Sequence, residues 1–175
     1  KLVSIAFDVM LAYYSMKLFQ LKTKNVFSNL LLFSVIMILP TVLTNSSWWA
    51  QCDSIFTAFG LAGLYYACIS KGKKSIIMFT LSFCFKLQGA FLFPLIPIFM
   101  ILRKIKLKDL IIAPATYLIS ILPALIAGRN FYNVLTIYFN QFDTYDSLTM
   151  SCPNIYTFFN DIYDERITLS GMVLA

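Results

Sequence analysis

Long apolar runs separated by short polar segments dominate this chain. A helix needs about 20 predominantly apolar residues to cross the roughly 30 Å hydrocarbon core of a bilayer, and several runs approach that length. We therefore predict an all-α fold, a polytopic transmembrane helical bundle forming a single membrane domain over residues 1–175. The predicted spans cover residues 2–21, 27–44, 55–70, 75–102 and 110–127, and another span begins near residue 167.

Basic residues fall between the apolar runs in three short clusters. The positive-inside rule places all three clusters on the cytoplasmic side. Residues 45–54 and 128–166 then lie outside, and these two segments carry six of the eight acidic residues. The clusters hold ten of the 14 basic residues: Lys17/Lys22/Lys24, Lys71/Lys73/Lys74 and Arg103/Lys104/Lys106/Lys108.

The fourth apolar run is too short for two full crossings. Lys74 and Arg103 both belong to cytoplasmic clusters, yet only 28 residues separate them. Two helices of about 13 residues reach only ~20 Å each. We therefore predict a short, broken or re-entrant helical hairpin with Lys86, Gln88 and Gly89 near its turn. The alternative is one long tilted span whose lysine reaches toward the interface, which would place the third basic cluster outside.

Between residues 130 and 140, apolar residues recur at helical spacing instead of forming a continuous run. Polar residues occupy the other side of this segment, so the pattern predicts an amphipathic helix lying on the outer membrane surface. The apolar positions with helical spacing are Phe131, Val134, Leu135, Tyr138 and Phe139.

Composition narrows the class of protein. Hydrophobic residues make up 59% of the 175 residues and charged residues 13%, about half the charged share of a soluble domain. This balance argues against a soluble enzyme, a disordered chain and a free nucleic-acid binder. The chain has no His, and its four cysteines lack metal-ligand spacing, so we assign no metal ligands. Whether a divalent metal is needed stays open.

The outer loop, residues 48–54, is the densest group of candidate residues. Paired tryptophans suit the membrane–water interface, and they also suit stacking on the apolar C–H faces of a sugar. Gln51 and Asp53 could hydrogen-bond sugar hydroxyls, and Asp53 could accept a proton as a weak candidate base. The alternatives are that Trp48 and Trp49 only anchor the chain and that Asp53 only caps a helix.

A second candidate group lies in the hairpin. Lys86, beside Gln88, could neutralise the phosphate of a lipid-linked substrate and the charge that grows as this phosphate leaves. The alternative is that Lys86 pairs with Asp8, another ionisable residue in a predicted span. Arg129 could also bind a phosphate, or it could be an ordinary interfacial anchor.

Four blocks of this sequence resemble, in the same order, bacterial membrane mannosyltransferases related to the GPI mannosyltransferases. Residues 49–54 resemble the family's W-G-Q-x-D-S loop, although Ala50 stands where the family often has Gly. Residues 85–88 with 91–94 resemble its F-K-x-Q…P element. The other two blocks are Ser4-Ile5-Ala6-Phe7-Asp8 and Ser147-Leu148-Thr149…Pro153-Asn154-Ile155-Tyr156.

This family has the GT-C fold, and the dolichyl-phosphate-glucose-dependent glucosyltransferases are similar. The resemblance implies transfer of a hexose, with mannose favoured, from a polyprenyl-phosphate sugar to an extracytoplasmic glycan or lipid acceptor. It also implies inversion at the anomeric centre and a bacterial plasma membrane, and the composition already argues against a nucleic-acid partner. We expect substrate contacts at Trp49, Gln51, Asp53, Lys86, Gln88, Arg129 and Asn154.

The family's usual catalytic carboxylate lies in a first outer loop, which we expect before Lys1, so we interpret the chain as an internal fragment. Two other functions remain open. A transporter or flippase also uses broken helices and a membrane lysine for anionic substrates. A membrane scaffold would explain the apolar spans but not the costly polar residues in the hairpin.

Overall fold

The computed structural model describes residues 1–49 and 51–140, and the regular elements in these ranges are all helices, which confirms the predicted fold class. Contacts divide the chain into two compact units, Lys1–Ala127 and Gly128–Ala175. The helices of the first unit are α1 (Leu2–Gln20), α2 (Val26–Ile38), α3 (Pro40–Leu43), α4 (Asp53–Cys68), α5 (Gly72–Phe85), α6 (Leu95–Ile101) and α7 (Ile112–Ile126).

The second predicted span is bent at its proline. A residue before proline disfavours helical backbone angles, and Leu39 accordingly has ψ 128°. Proline is well tolerated at the first position of a helix, so α3 begins at Pro40. A π-helical turn, Thr44–Trp48, continues α3. The segments before and after the break meet at 47°.

Helices α4 and α5 form an antiparallel pair. The Ser75 hydroxyl donates to the carbonyl of Gly63 at 2.8 Å, and the Ser82 hydroxyl donates to the carbonyl of Phe56 at 2.7 Å. Small side chains let two helices approach this closely, and Ala58 of α4 is fully buried. The start of α4 therefore lies beside the end of α5.

Helix α1 packs parallel to α4. The Ser54 hydroxyl lies 3.3 Å from the carbonyl oxygen of Ser4, and the hydroxyls of Tyr14 and Tyr66 are 3.2 Å apart. The sequence separation of these pairs is 50 and 52, so the two helices run in the same direction. The bent segment formed by α2 and α3 connects the end of α1 to the start of α4, so the chain returns to the end where α1 began.

The predicted broken hairpin follows α5. Lys86 has extended backbone angles, and a 3-10 helix, Leu87–Leu92, then packs back against α5. This return requires glycine at position 89, because a Cβ there would lie 2.6 Å from the backbone nitrogen of Phe83. Helix α6 completes the returning limb.

The returning limb ends beside the turn between α4 and α5. The Lys104 ammonium donates to the carbonyl of Cys68 at 3.4 Å, and Ile105 is buried against Ala67 and Ile76. The chain thus goes out along α5 and comes back, as the hairpin prediction requires. The alternative of one long span across residues 75–102 does not fit these contacts.

All three basic clusters therefore lie at one end of the first unit, which we call the basic end: residues 17–24, 71–74 and 103–108. There the buried Asp109 carboxylate accepts from the Lys106 amide at 3.0 Å. The opposite end holds residues 44–49 and 51–53 together with Lys86, and we call it the tryptophan end.

Within residues 1–49 and 51–140, two helices are long and apolar enough to cross a membrane, namely α1 and the continuous segment Leu107–Ile126. The bent segment from Val26 to Trp48 makes a third if it counts as one span. Helix α4, with 16 residues, and α5, with 14, are shorter. Most apolar side chains of α7 are exposed, as lipid-facing residues would be: Leu118, Ile119, Leu122 and Ile126.

The described part of the second unit contains two short helices, α8 (Phe131–Leu135) and α9 (Ile137–Asn140). The Asn130 side chain accepts from the Tyr132 amide at 2.8 Å and starts α8. The amphipathic helix predicted over this segment is thus interrupted at Thr136.

Candidate functional site

An ion pair joins the two candidate groups at the tryptophan end. The Lys86 ammonium donates to Oδ1 of Asp53, and both side chains are about one third exposed. The antiparallel packing of α4 and α5 explains this contact, because Asp53 is the first residue of α4 and Lys86 directly follows α5. Two motifs that are 33 positions apart in sequence therefore form one site.

The second oxygen of Asp53 is also engaged. The Asn45 side-chain amide donates to Oδ2 of Asp53 at 3.1 Å. Asn45 reaches this position because it belongs to the π-helical turn, and its carbonyl accepts from the Gln51 amide at 3.0 Å. The carboxylate thus bonds to Asn45 and Lys86, and the alternative of a simple helix cap does not describe it.

These contacts set the protonation state of Asp53. Burial alone would raise the pKa of its carboxyl group, but the hydrogen bonds from Lys86 and Asn45 and the lysine charge outweigh it and hold the pKa below its ordinary value. Asp53 is therefore an anion at neutral pH. While both oxygens accept these bonds, it is a poor proton acceptor.

Aromatic rings form an apolar wall beside the ammonium group. Lys86 Nζ lies 5.6 Å from the centre of the Phe56 ring. The rings of Phe59 and Phe85 stack at 5.5 Å, and Phe7 of α1 contacts both. Of these rings Phe85 is exposed and the others are partly buried. A cation beside such rings suits a ligand with a charged head and a hydrocarbon tail.

A buried polar layer lies behind the ion pair. The Ser46 hydroxyl donates to Oδ1 of Asp8 at 2.7 Å and lies 3.3 Å from the Ser54 hydroxyl. Asp8 is 3% exposed and Ser46 is 0% exposed. Asp8 therefore bonds to Ser46, and Lys86 bonds to Asp53, so the alternative pairing of Asp8 with Lys86 does not occur.

The paired tryptophans are open to the surroundings. Trp48 is 78% exposed and Trp49 is 68% exposed. Trp48 also lines an open groove of about 480 Å³ together with Leu43, Thr44, Ser47 and Lys1. Exposed indole rings at one end of a helical bundle suit either an interfacial anchor or a sugar-stacking surface.

Of the predicted substrate-contacting residues, the structure brings Asp53 and Lys86 into contact, and Trp49 and Gln51 belong to the loop before Asp53. Gln51 is exposed in the loop before Asp53, and Gln88 is exposed two residues after Lys86. Arg129 is exposed in the second unit, and Asn154 lies outside the described residues. Sequence reasoning gave no role at this site to Asn45, Ser46 or Phe56, and it named Ser54 only as part of the loop; Asn45 and Ser46 form a polar break at the end of an apolar run.

Acidic and cysteine side chains do not gather in the described part of the chain. Residues 1–49 and 51–140 contain no group of three or more His, Cys, Asp or Glu side chains that could hold a metal ion. The groups that could take part in chemistry around the ion pair include the Lys86 ammonium, the carboxylates of Asp8 and Asp53, and the hydroxyls of Ser46 and Ser54.

Comparisons of the chain with protein-family models, with curated proteins and with solved structures find no match.

Proposed function

We propose that this chain forms the donor-binding part of a membrane glycosyltransferase. This enzyme transfers a hexose, with mannose favoured, from a polyprenyl-phosphate sugar to an extracytoplasmic glycan or lipid acceptor. The contact between Lys86 and Asp53 carries the proposal, because it unites two of the four blocks of the resemblance, residues 49–54 and 85–88, in one partly exposed site.

The donor phosphate binds at Lys86. An ammonium is a strong phosphate partner, and the apolar wall lowers the local polarity and so strengthens the attraction. To reach the ammonium, a phosphate oxygen replaces Oδ1 of Asp53. The same step releases that oxygen from its ion pair, so donor binding prepares Asp53 for a new hydrogen bond.

The hydrocarbon tail and the sugar lie on different sides of this phosphate. The first isoprenoid units of the tail pack on the exposed ring of Phe85. This placement is expected because Phe85 directly precedes Lys86 in the chain. The sugar lies toward the loop, where Trp49 stacks on its C–H face. Gln51 and the released Asp53 oxygen bind its hydroxyls.

The reaction is a single displacement at the anomeric carbon. The acceptor oxygen forms a bond to this carbon while the bond to the phosphate oxygen breaks, and the phosphate leaves with the electron pair. Lys86 balances the growing charge on the phosphate. The acceptor proton passes to a carboxylate base of the kind that the resemblance implies. Arg129 and Asn154 remain predicted substrate contacts.

A transfer assay tests this function. The longest natural protein containing this chain is reconstituted with lipid and given radiolabelled polyprenyl-phosphate mannose, or the glucose analogue, with membrane extract as acceptor. We expect labelled product that is lost in Lys86→Met and retained in Lys73→Met, which removes an exposed lysine at the basic end. Donor that crosses a vesicle membrane without forming product would overturn the proposal and favour a transporter.

A further inference from the structure

We propose that Asp8 of α1 is a positioning residue for this site: through Ser46 it holds the loop that presents Asn45 and Asp53 to Lys86. The identification of the site rests on the function proposed above. The role of Asp8 rests on its own contacts, which involve no ligand.

The bond between Asp8 and Ser46 has the usual length of an O–H···O bond and is shielded from solvent. The Ser46 hydroxyl donates to Oδ1 of Asp8 at 2.7 Å, and Ser46 is completely buried. A loop that connects two membrane segments is thereby fixed to α1 at one defined point.

Each serine hydroxyl of this layer has one proton to donate. Ser46 donates its proton to Asp8 at 2.7 Å, and Ser54 donates its proton to the carbonyl oxygen of Ser4 at 3.3 Å. The two hydroxyls also lie 3.3 Å apart. Both serines that flank the loop are therefore held to α1, Ser46 through the side chain of Asp8 and Ser54 through the backbone of Ser4.

Two pairs of neighbouring residues connect this buried layer to the exposed ion pair. Asn45 precedes Ser46, and Asp53 precedes Ser54. Asn45 and Asp53 bond to each other in the exposed layer, as Ser46 and Ser54 contact each other in the buried layer. A displacement of Ser46 therefore moves Asn45 away from the Asp53 carboxylate and loosens the contact with Lys86.

A leucine at position 8 would avoid the cost of a buried carboxylate on a membrane helix. Within residues 1–49 and 51–140, the one ion pair present is that of Asp53 with Lys86, so no cation repays this cost at Asp8. The contact with Ser46 gives the carboxylate its role. An ionisable residue placed in a span at such a cost points to the function of the site rather than to stability alone.

The test measures the pKa of Asp53 in Asp8→Ala, Asp8→Asn and Ser46→Ala. Isotope-edited infrared titration of the whole chain in lipid nanodiscs isolates this carboxyl by subtracting the same variant carrying Asp53→Asn. We expect Asp8→Ala and Ser46→Ala to raise the pKa of Asp53 toward its ordinary value. Asp8→Asn keeps a carbonyl oxygen for Ser46 and so retains the wild-type value.

Two results would overturn the positioning role. One is a lower melting temperature in Asp8→Ala and Ser46→Ala with an unchanged pKa of Asp53, which would make the contact structural only. The other is Asp8→Asn behaving like Asp8→Ala, which would assign the effect to charge instead of the hydrogen bond. Ser46→Ala keeps the test valid if Asp8→Ala does not fold.

Binding gives a second readout. Polyprenyl phosphate should bind Asp8→Ala roughly three- to tenfold more tightly, because a loosened Asp53 competes less for Lys86. This change should vanish when Asp53→Asn is already present. A shifted pKa of Asp53 without any sugar transfer would overturn the proposed function alone, whereas transfer with an unshifted pKa would overturn only the role of Asp8.

Discussion

The carboxylate of Asp53 and the ammonium of Lys86 form an ion pair at the tryptophan end of the first unit. Asp53 begins α4 and Lys86 directly follows α5, and the antiparallel packing of these two helices brings the two charges together. Because the Lys86 ammonium already donates to Oδ1 of Asp53, we expect a ligand anion to compete with Asp53 for the lysine.

We expect Lys86→Met to weaken binding of polyprenyl phosphate by about 10- to 100-fold, since a hydrogen bond to a charged group contributes roughly 1.5–3 kcal/mol. Binding is measured by titration in nanodiscs. Lys73→Met, which removes an equal charge at the opposite end, serves as the control and should bind normally. Equal losses in both variants would assign the effect to net charge.

Asp53→Asn should have opposite effects on binding and on transfer. Removing the competing anion leaves Lys86 available, so the affinity for polyprenyl phosphate rises, while the rate of sugar transfer falls because the sugar loses a charged acceptor. Ser47→Lys adds one positive charge on the same loop and controls for the general field. Weaker binding in Asp53→Asn would contradict the competition between Asp53 and the ligand.

Acid should remove the stabilising effect of the ion pair. The pKa of Asp53 is lower in the folded state than its ordinary value, so the pair stabilises the fold above the ordinary pKa. This contribution is lost as the pH falls below about 4 and the carboxylate gains its proton. We expect melting temperatures of wild type and Asp53→Asn to differ at pH 7 and to converge in acid. A gap that widens in acid would be inconsistent with the ion pair.

Gly89→Ala should be more destabilising than Gly60→Ala. A Cβ on Gly89 would meet the backbone of Ser82 and Phe83, which cannot move without disturbing α5, so overpacking costs about 1–3 kcal/mol. A Cβ on Gly60 would meet only the flexible tip of Leu92. Thermal unfolding in detergent compares the two variants. Similar stabilities would argue against the close return of the hairpin.

The hairpin also predicts the accessibility of the two basic loops. Lys73 and Lys108 both lie at the basic end, so Lys73→Cys and Lys108→Cys in a cysteine-free background should react with a membrane-impermeant thiol reagent from the same side. Ser47→Cys, at the tryptophan end, should react from the other side. Labelling of Lys73→Cys and Lys108→Cys from opposite sides would restore the single long span.

The sequence alone determined the helical class and the existence of the hairpin. Apolar runs of membrane length predict helices directly, and the short interval between Lys74 and Arg103 leaves no room for two full crossings. The polar residues near Lys86 also mark the turn. These features depend on local composition and on the length of each segment, and both are given directly by the sequence.

Only the tertiary structure decided which charges meet. The sequence left Lys86 with either Asp8 or a substrate as partner, and it offered Asp53 as a cap or a base. The pairing depends on how far α4 and α5 overlap, which is set by contacts such as that between Ser82 and Phe56. Side-chain packing between the two helices fixes this overlap, and the hydrophobic periodicity of either helix alone does not predict it. For that reason Asp53 meets Lys86, whereas Asp8 meets Ser46.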